Sequence, residues 1–219
     1  MIGGTATFTI DDSRVRLLPG VLKAQRFLQR FLGSDASGIV SCNYDLLVEY
    51  ALTTRHFNYG VQGEQLYGRG PNPWFPGRGG HPRLQGLLPL AKLHGSLSWG
   101  NDRRYTDGRR GLSGTAILIP PRPEKEPPPE LASTWALARR ILSRTTQLVV
   151  FGFAFNAYDK AVLHLLGTTG DQVTRVLLVD LSPRTDAACS LWPNATIYSS
   201  GPPDADGRLE HWLDFREGN

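Results

Sequence analysis

Two short polar motifs, each at the end of an apolar run, carry the residues of this sequence that could do chemistry. The first is IVSCNYD over 39–45, and the second is LAKLHGS over 90–96. Each run predicts a buried strand that delivers a polar side chain at its carboxyl end. Ligands of open α/β sheets bind at that edge. The amide of Asn43 could hold ribose hydroxyls there, and the imidazole of His94 could move a proton. The pair therefore predicts a nucleotide site.

The elements that must position these residues alternate along the chain, and the strands among them are continuously apolar. This pattern predicts an α/β fold with a mostly parallel, Rossmann-like sheet and helices on both faces. Strands are expected over 38–43, 89–94, 115–119, 147–153, 174–180 and 196–199. Helices are expected over 21–32, 46–55, 130–142, 158–166, 184–191 and 207–214.

The length of the chain fits one domain over 1–219, with an N-terminal extension over 1–37 and a core over 38–200. Residues 56–87 are rich in Gly, Pro, Asn and Arg and have no clear period. They predict an irregular insertion or lid that covers the site or meets a partner. The Pro-rich, charged segment 120–130 is typical of a connector, and both segments are expected to make few buried contacts.

The composition excludes several classes of protein. A hydrophobic fraction of 40% and a charged fraction of 20% suit a soluble globular chain, and no apolar run reaches the roughly 18–20 residues of a membrane span. Only Cys42 and Cys189 are present, which make neither a disulfide framework nor a zinc set. Because the N-terminus has no secretion signal, the expected location is cytoplasmic.

The net charge of +4 comes largely from arginines in Gly-rich loops. The excess of positive charge could belong to solvated loops, or it could form an electropositive surface around a site for a phosphate-bearing ligand or for nucleic acid. Composition alone leaves both interpretations open.

The order of the motifs resembles that of the SIR2-like family, which includes sirtuin deacylases and NAD-cleaving domains of bacterial defence systems. The likeness covers about residues 38–200. In order, the motifs are IVSCNYDLLVEYAL, LAKLHGSLSW, an ILIPP…EK connector, LASTWALA, LVVFGFAFNAYD and VLLVDLSP. The NYD triplet, the His-Gly-Ser followed by an aromatic and the lack of four zinc cysteines resemble the bacterial branch more than true sirtuins. The resemblance implies an NAD-binding fold with NAD as the substrate and no metal.

The resemblance also implies catalytic roles for Asn43 and His94. Asn43 would orient ribose hydroxyls and a water at the anomeric carbon, and His94 would contact the nicotinamide ribose as a general base. The residues themselves leave other interpretations open. Asn43 could make a local turn bond at a strand end, and His94 could be a hydrogen-bonded core histidine.

Further cofactor contacts are implied beside these two residues. Gly95 has no Cβ and would let a ligand approach, while Ser96 would bond either the turn or the ligand. Asp45 stands before a predicted helix, so it fits an N-cap as well as a ligand contact.

The second half of the chain would contact the adenosine side of NAD. The loop after strand 147–153 would lie along the adenosine, although its glycine also suits a plain strand-to-helix turn. An acidic residue at the end of strand 174–180 stands where Rossmann-type folds bond a ribose hydroxyl, and a second acid could touch a ribose or cap the next helix. The residues concerned are Gly152, Phe153, Ala154, Asp159 and Asp180.

One part of the family pattern is not found ahead of the NYD motif. Family members open with a strand and a Gly-Ala-Gly-type loop that cradles the NAD pyrophosphate. Residues 1–42 precede Asn43, and Gly3-Gly4 has neither a strand before it nor an obvious helix after it. We therefore expect the first strand-loop-helix unit to be missing and the fold to be N-terminally truncated.

The function implied by the resemblance is an NAD glycohydrolase in antiphage defence, which cleaves the nicotinamide–ribose bond with water as acceptor. An acyl-lysine acceptor would make a deacylase, but the zinc module that accompanies peptide deacylation is absent. The alternative is a non-catalytic or degenerate SIR2-like module that binds a nucleotide or a protein, because loss of a phosphate cradle weakens dinucleotide binding. A protein partner or a second copy of the chain is compatible with either function. A nucleic-acid partner rests on the charge alone and is disfavoured.

Overall fold

The part of the chain that the structure describes contains three small sheets and four α-helices with defined ends. The structure, a computed structural model, describes residues 27–28, 37–45, 47–48, 57–58, 88–100, 116–120, 126–127 and 129–218. Contacts divide the chain into two compact units. Unit 1 is Met1–Pro120 with Pro128–Leu137, and unit 2 is Pro121–Pro127 with Ala138–Asn219.

Unit 1 contains a parallel sheet and an antiparallel pair. Strand β3 (Leu88–Lys92) lies between β1 (Ile39–Ser41) and β2 (Phe57–Asn58), and both neighbours run parallel to it. Strand β4 (Gly95–Gly100) follows β3 directly and pairs antiparallel with β5 (Ala116–Leu118). The chain therefore turns at Leu93–His94 between two sheets.

Unit 2 contains a parallel sheet whose strands follow in chain order. Strands β6 (Gln147–Phe151), β7 (Arg175–Val179) and β8 (Thr196–Ser200) pair in the order β6-β7-β8. Helix α2 (Lys160–Thr169) connects β6 to β7, and helix α3 (Thr185–Leu191) connects β7 to β8. Helix α4 (Trp212–Glu217) ends the unit.

The sequence of β7, RVLLV, explains its central place. Its four apolar residues are all buried, as expected for a strand with neighbours on both sides and packing on both faces. One hydrophobic cluster is formed by the buried residues Phe155, Val173, Val176, Leu178, Ala188 and Trp192.

Helix α1 (Ala132–Leu142) is preceded by a 3-10 turn at Pro129–Leu131. Its large apolar side chains recur at helical spacing and are buried, whereas Arg139 and Arg140 are exposed. The two arginines stand in the last turn, where cations interact favourably with the helix dipole. The boundary between the two units falls within this helix.

These elements confirm an α/β protein with parallel strands, compatible with a Rossmann-like fold. One large sheet with helices on both faces stays a prediction, as does a single domain over 1–219. The bounds of β6, β7 and β8 agree with the predicted strands to within two residues. Helix α4 begins at Trp212 rather than at 207.

Several predictions lie wholly or mostly outside the described residues. Of the insertion over 56–87, the structure describes 57–58, which form β2 rather than irregular chain. Of the predicted helices over 21–32 and 46–55, it describes 27–28 and 47–48, and these are helical. Most of the N-terminal extension and of the connector over 120–130 lies outside the description.

Candidate functional site

The carboxyl edge formed by β1 and β3 brings the two sequence motifs of unit 1 side by side. Ser41 pairs with Lys92 at the end of the parallel register, and the backbone N–H of Leu93 donates to the Ser41 carbonyl at 2.9 Å. Asn43 and His94 stand the same number of residues beyond this last pair. Both therefore leave the sheet at the edge where parallel α/β folds bind ligands.

Asn43 lies in a turn that the side chain of Ser41 fixes. The Ser41 hydroxyl accepts from the Asn43 backbone N–H at 3.2 Å and donates to the Asn43 carbonyl at 3.1 Å. Both backbone groups of Asn43 are thus bonded, and the residue is exposed. Its amide is available to a ligand from this edge.

Asp45 makes the bond expected of a helix cap. Its Oδ1 accepts from the backbone N–H of Leu47 at 2.8 Å, where the chain becomes helical. A carboxylate in this position satisfies a donor that the first helical turn leaves unpaired. A ligand contact by the same exposed residue remains a prediction.

Lys92 is a feature of this edge that sequence reasoning missed. Its side chain is 1% exposed, and its Nζ donates to the backbone carbonyl of Asp45. A buried ammonium is costly unless its donors are bonded, so the bond to Asp45 is part of what makes this position possible. The signal in the sequence was a lysine inside an otherwise apolar run, LAKL.

His94 is also buried, with 4% of its surface exposed. Its backbone carbonyl accepts from the Ile119 N–H at 3.0 Å, which joins the turn to the end of β5. Gly95 has a φ of +85°, a conformation that favours glycine, and Ser96 is buried. Three buried polar side chains within 92–96 make this segment unlike the interior of an ordinary strand.

Two further side chains approach the turn at Leu93–His94. The indole N–H of Trp135, on α1, donates to the Leu93 carbonyl at 3.0 Å, and both partners are buried. The Sγ of Cys42 lies within 4.8 Å of a ring nitrogen of His94. Cys42 is half-buried and lies just past β1, although the predicted strand over 38–43 included it. Neither approach could be seen in the sequence.

Unit 2 has a carboxyl edge of its own, where Gly152 and Asp180 stand just past β6 and β7. The N–H of Gly152 donates to the Val179 carbonyl at 2.9 Å, and the N–H of Asp180 donates to the Ser200 carbonyl at 3.1 Å. The carboxylate of Asp180 accepts from the Ser182 N–H at 2.9 Å. This acid is half-buried at the position that Rossmann-type folds use for a ribose hydroxyl.

The loop after β6 carries backbone strain. Gly152 has a φ of +60°, and Phe155 has a φ of +51° although it is a bulky residue. A left-handed conformation is uncommon for such a side chain and is typical of constrained, often functional, loops. The buried Phe155 packs edge-to-face against Phe153 at 4.9 Å between ring centroids. Ala154 is exposed between them.

Asp159 directly precedes α2 and is buried. Its carboxylate makes no cap hydrogen bond to this helix. The prediction that Asp159 caps the helix through its side chain is therefore wrong. In the turn just before Asp159, the amide oxygen Oδ1 of Asn156 accepts from the Tyr158 N–H at 3.0 Å. A ribose contact by Asp159 remains a prediction.

No known protein family, curated protein or solved structure matches this chain. Across the described residues, none of the helices is both long enough and apolar enough to span a bilayer.

Proposed function

We propose that this protein binds NAD and cleaves its nicotinamide–ribose bond, with water as the acceptor. The observation that carries the proposal is the parallel register of β1 and β3. It leads an amide, Asn43, and an imidazole, His94, out of the same sheet edge. The resemblance to SIR2-like proteins assigns these two residue types to the ribose of NAD.

The chemistry needs little more than these two groups. Nicotinamide leaves as a neutral base from a cationic ring, so no acid is needed to assist its departure. The amide of Asn43 holds ribose hydroxyls and orients a water at the anomeric carbon. The imidazole of His94 accepts a proton from a ribose hydroxyl or from that water, which stabilises the positive charge that develops on the sugar.

The burial of His94 adds a requirement to this proposal. With 4% of its surface exposed, the imidazole can meet a ribose only after side chains that cover it move. Asn43 is exposed and needs no such movement. Asn43 is therefore the first contact, and the movement that uncovers His94 belongs to the binding step.

The adenosine contacts form a separate part of the proposal. Gly152 and Asp180 stand at the carboxyl edge of unit 2 in a β-α-β arrangement. The carboxylate of Asp180 would accept from a ribose hydroxyl, and the strained loop after β6 would lie along the adenosine. Asp180→Asn should raise the Kd for NAD and leave the turnover rate at saturating NAD unchanged.

The proposal is tested by incubating the 219-residue chain with NAD and measuring released nicotinamide by chromatography. Asn43→Ala and His94→Asn should each lower the rate by a factor of about 100 or more, the usual scale for loss of a positioned catalytic group. Asn194→Ala and His164→Asn are matched controls at exposed positions of unit 2 and should change nothing. Circular dichroism verifies that each variant is folded.

Two results would decide against this function. Release of nicotinamide that survives both Asn43→Ala and His94→Asn would remove these residues from the reaction. Binding of NAD in a calorimeter without any release would favour the alternative, a non-catalytic nucleotide-binding module.

A further inference from the structure

A buried lysine connects the two motifs of the candidate site. The Nζ of Lys92 on β3 donates to the main-chain carbonyl of Asp45, which belongs to the turn after β1. Lys92 is among the largest fully buried side chains of the described residues. An ammonium in such a place is retained only where its hydrogen bonds offset the lost hydration.

The turn that receives this bond has little else of its own to bury. Asn43, Tyr44 and Asp45 are all exposed. At its start the turn is held by the hydroxyl of Ser41, which bonds both backbone groups of Asn43. At its end it is held by Lys92. Asn43 therefore lies between two anchors, one on β1 and one on β3.

We propose that Lys92 is a positioning residue for Asn43. By holding the Asp45 carbonyl, it fixes the path of the chain from Ser41 to Asp45 and keeps the Asn43 amide beyond the edge where His94 emerges. Its effect on turnover rests on the proposed function, whereas the bond and its effect on the turn do not depend on NAD.

The identity of the side chain matters for this role. An apolar residue of similar length would fill the space but offer no donor to the Asp45 carbonyl. The turn would then lose its bond to β3 and would sample other paths, although the Ser41 hydroxyl and the bond from Leu47 to the Asp45 carboxylate remain. A displacement of about 1 Å at a group that orients a reacting water can cost about 100-fold in rate.

The bond can be tested in the wild-type protein by NMR. A lysine ammonium that is buried and bonded exchanges its protons slowly. The spectrum of the labelled chain should therefore show a Lys92 Nζ signal with a scalar coupling to the Asp45 carbonyl carbon. A Lys92 ammonium that exchanges as fast as a solvated one, with no coupling, would overturn the proposal.

Variants then test the positioning. In Lys92→Met, the backbone amides of Asn43 and Leu47 should exchange with solvent at least tenfold faster than in the wild type. The rate of nicotinamide release at saturating NAD should fall about 10- to 100-fold, with KM changed less than threefold. Arg144→Met removes the same charge from an exposed position and should alter neither quantity. Lys92→Arg keeps a cationic donor and should recover part of the rate.

The outcomes separate the two proposals. If wild-type protein releases no nicotinamide, the proposed function fails, and the coupling and the amide exchange still decide whether Lys92 holds the turn. A folded Lys92→Met with wild-type exchange and wild-type turnover would overturn the positioning role. If Lys92→Met does not fold, the wild-type coupling and the Lys92→Arg variant decide it.

Discussion

The two parallel three-stranded sheets of this protein are built in opposite ways. In unit 2, the strands β6, β7 and β8 are five residues long, and neighbouring strands follow one another along the chain. In unit 1, β1 has three residues and β2 has two, and both pair with β3, which comes later in the chain. One sheet is regular and local, and the other is short and assembled from distant segments.

The buried residues of the two sheets differ in the same direction. The central strand of unit 2 buries Val176, Leu177, Leu178 and Val179, whereas the segment over 92–96 in unit 1 buries a lysine, a histidine and a serine. Burying an apolar side chain stabilises the folded state by itself, whereas a buried polar group needs a hydrogen-bond partner to offset its lost hydration. The difference teaches that the described part of unit 2 depends on apolar burial between locally connected strands, whereas the described part of unit 1 buries polar groups that need specific partners.

The largest expected effect concerns the apolar core of unit 2. Leu178 is 2% exposed and belongs to its hydrophobic cluster, so Leu178→Ala should lower the free energy of unfolding by about 3 kcal/mol. Leu213→Ala makes the same change at a residue that is 67% exposed and should cost less than about 0.5 kcal/mol. Urea denaturation measures both. Equal losses would contradict the view that unit 2 depends on apolar burial.

Two buried tryptophans, one in each unit, give the next effect. Trp135 donates to the Leu93 carbonyl, whereas the indole nitrogen of Trp192 has no hydrogen-bond partner among the described residues. Trp135→Phe and Trp192→Phe remove similar volumes. The first should cost about 1–2 kcal/mol more, because it leaves a buried carbonyl without this donor. If the two variants unfold at the same urea concentration, the bond to Leu93 contributes nothing to unit 1.

A smaller effect is expected from the backbone at the edge of unit 2. Gly152 has a φ of +60°, and a Cβ there would meet nothing within 4 Å, so Gly152→Ala tests conformation without a clash. It should lower stability by about 1 kcal/mol. Gly201→Ala also places a Cβ in open space but without a positive φ, and thermal melting should show little change. Equal melting temperatures would mean that the loop after β6 relaxes without strain.

The smallest effect belongs to an exposed ion pair of unit 2. Arg184 Nη2 lies 3.2 Å from Asp186 Oδ2, and the hydrogen bond from Arg184 lowers the pKa of the Asp186 carboxyl from its usual value. Because the folded pKa lies below the unfolded one, the pair stabilises unit 2 above the unfolded pKa. This stabilisation is lost as pH falls through the folded pKa.

An NMR titration of the Asp186 carboxyl carbon measures this shift directly. Arg184→Gln should raise the pKa towards the ordinary value, and the control Arg144→Gln should leave it in place. An unchanged pKa in Arg184→Gln would mean that the pair does not persist in solution, as happens for many exposed ion pairs.

Strands β6 and β7 could be predicted because each has a run of four apolar residues, LVVF and VLLV. The start of α4 could not be predicted, because side-chain hydrogen bonds hold the residues before Trp212 in a turn rather than in a helix. The Asp204 carboxylate accepts from the N–H groups of both Asp206 and Arg208, and His211 then adopts a left-handed conformation before the helix begins. No apolar period marks that boundary in the sequence.

Local sequence also predicts only part of the candidate site. The position of Asn43 and His94 at strand ends follows from two apolar runs, and the register of β1 with β3 places them at one edge. The burial of Lys92 could not be foreseen, because the carbonyl that it meets is 47 residues away in the chain. A lysine near a strand end is ordinarily solvated, and only tertiary pairing brings Asp45 to it.

The strand order of unit 1 has a consequence for how the protein folds. Within the described residues, β1 and β2 pair with β3 and not with each other, so this sheet has no ladder until Leu88–Lys92 has been synthesised. Closing the long chain segment between Ile39 and Leu90 costs more entropy than closing the segment between Arg175 and Thr196. High contact order slows folding. The parallel sheet of unit 1 is therefore expected to form more slowly than the sheet of unit 2, although its strands are translated first.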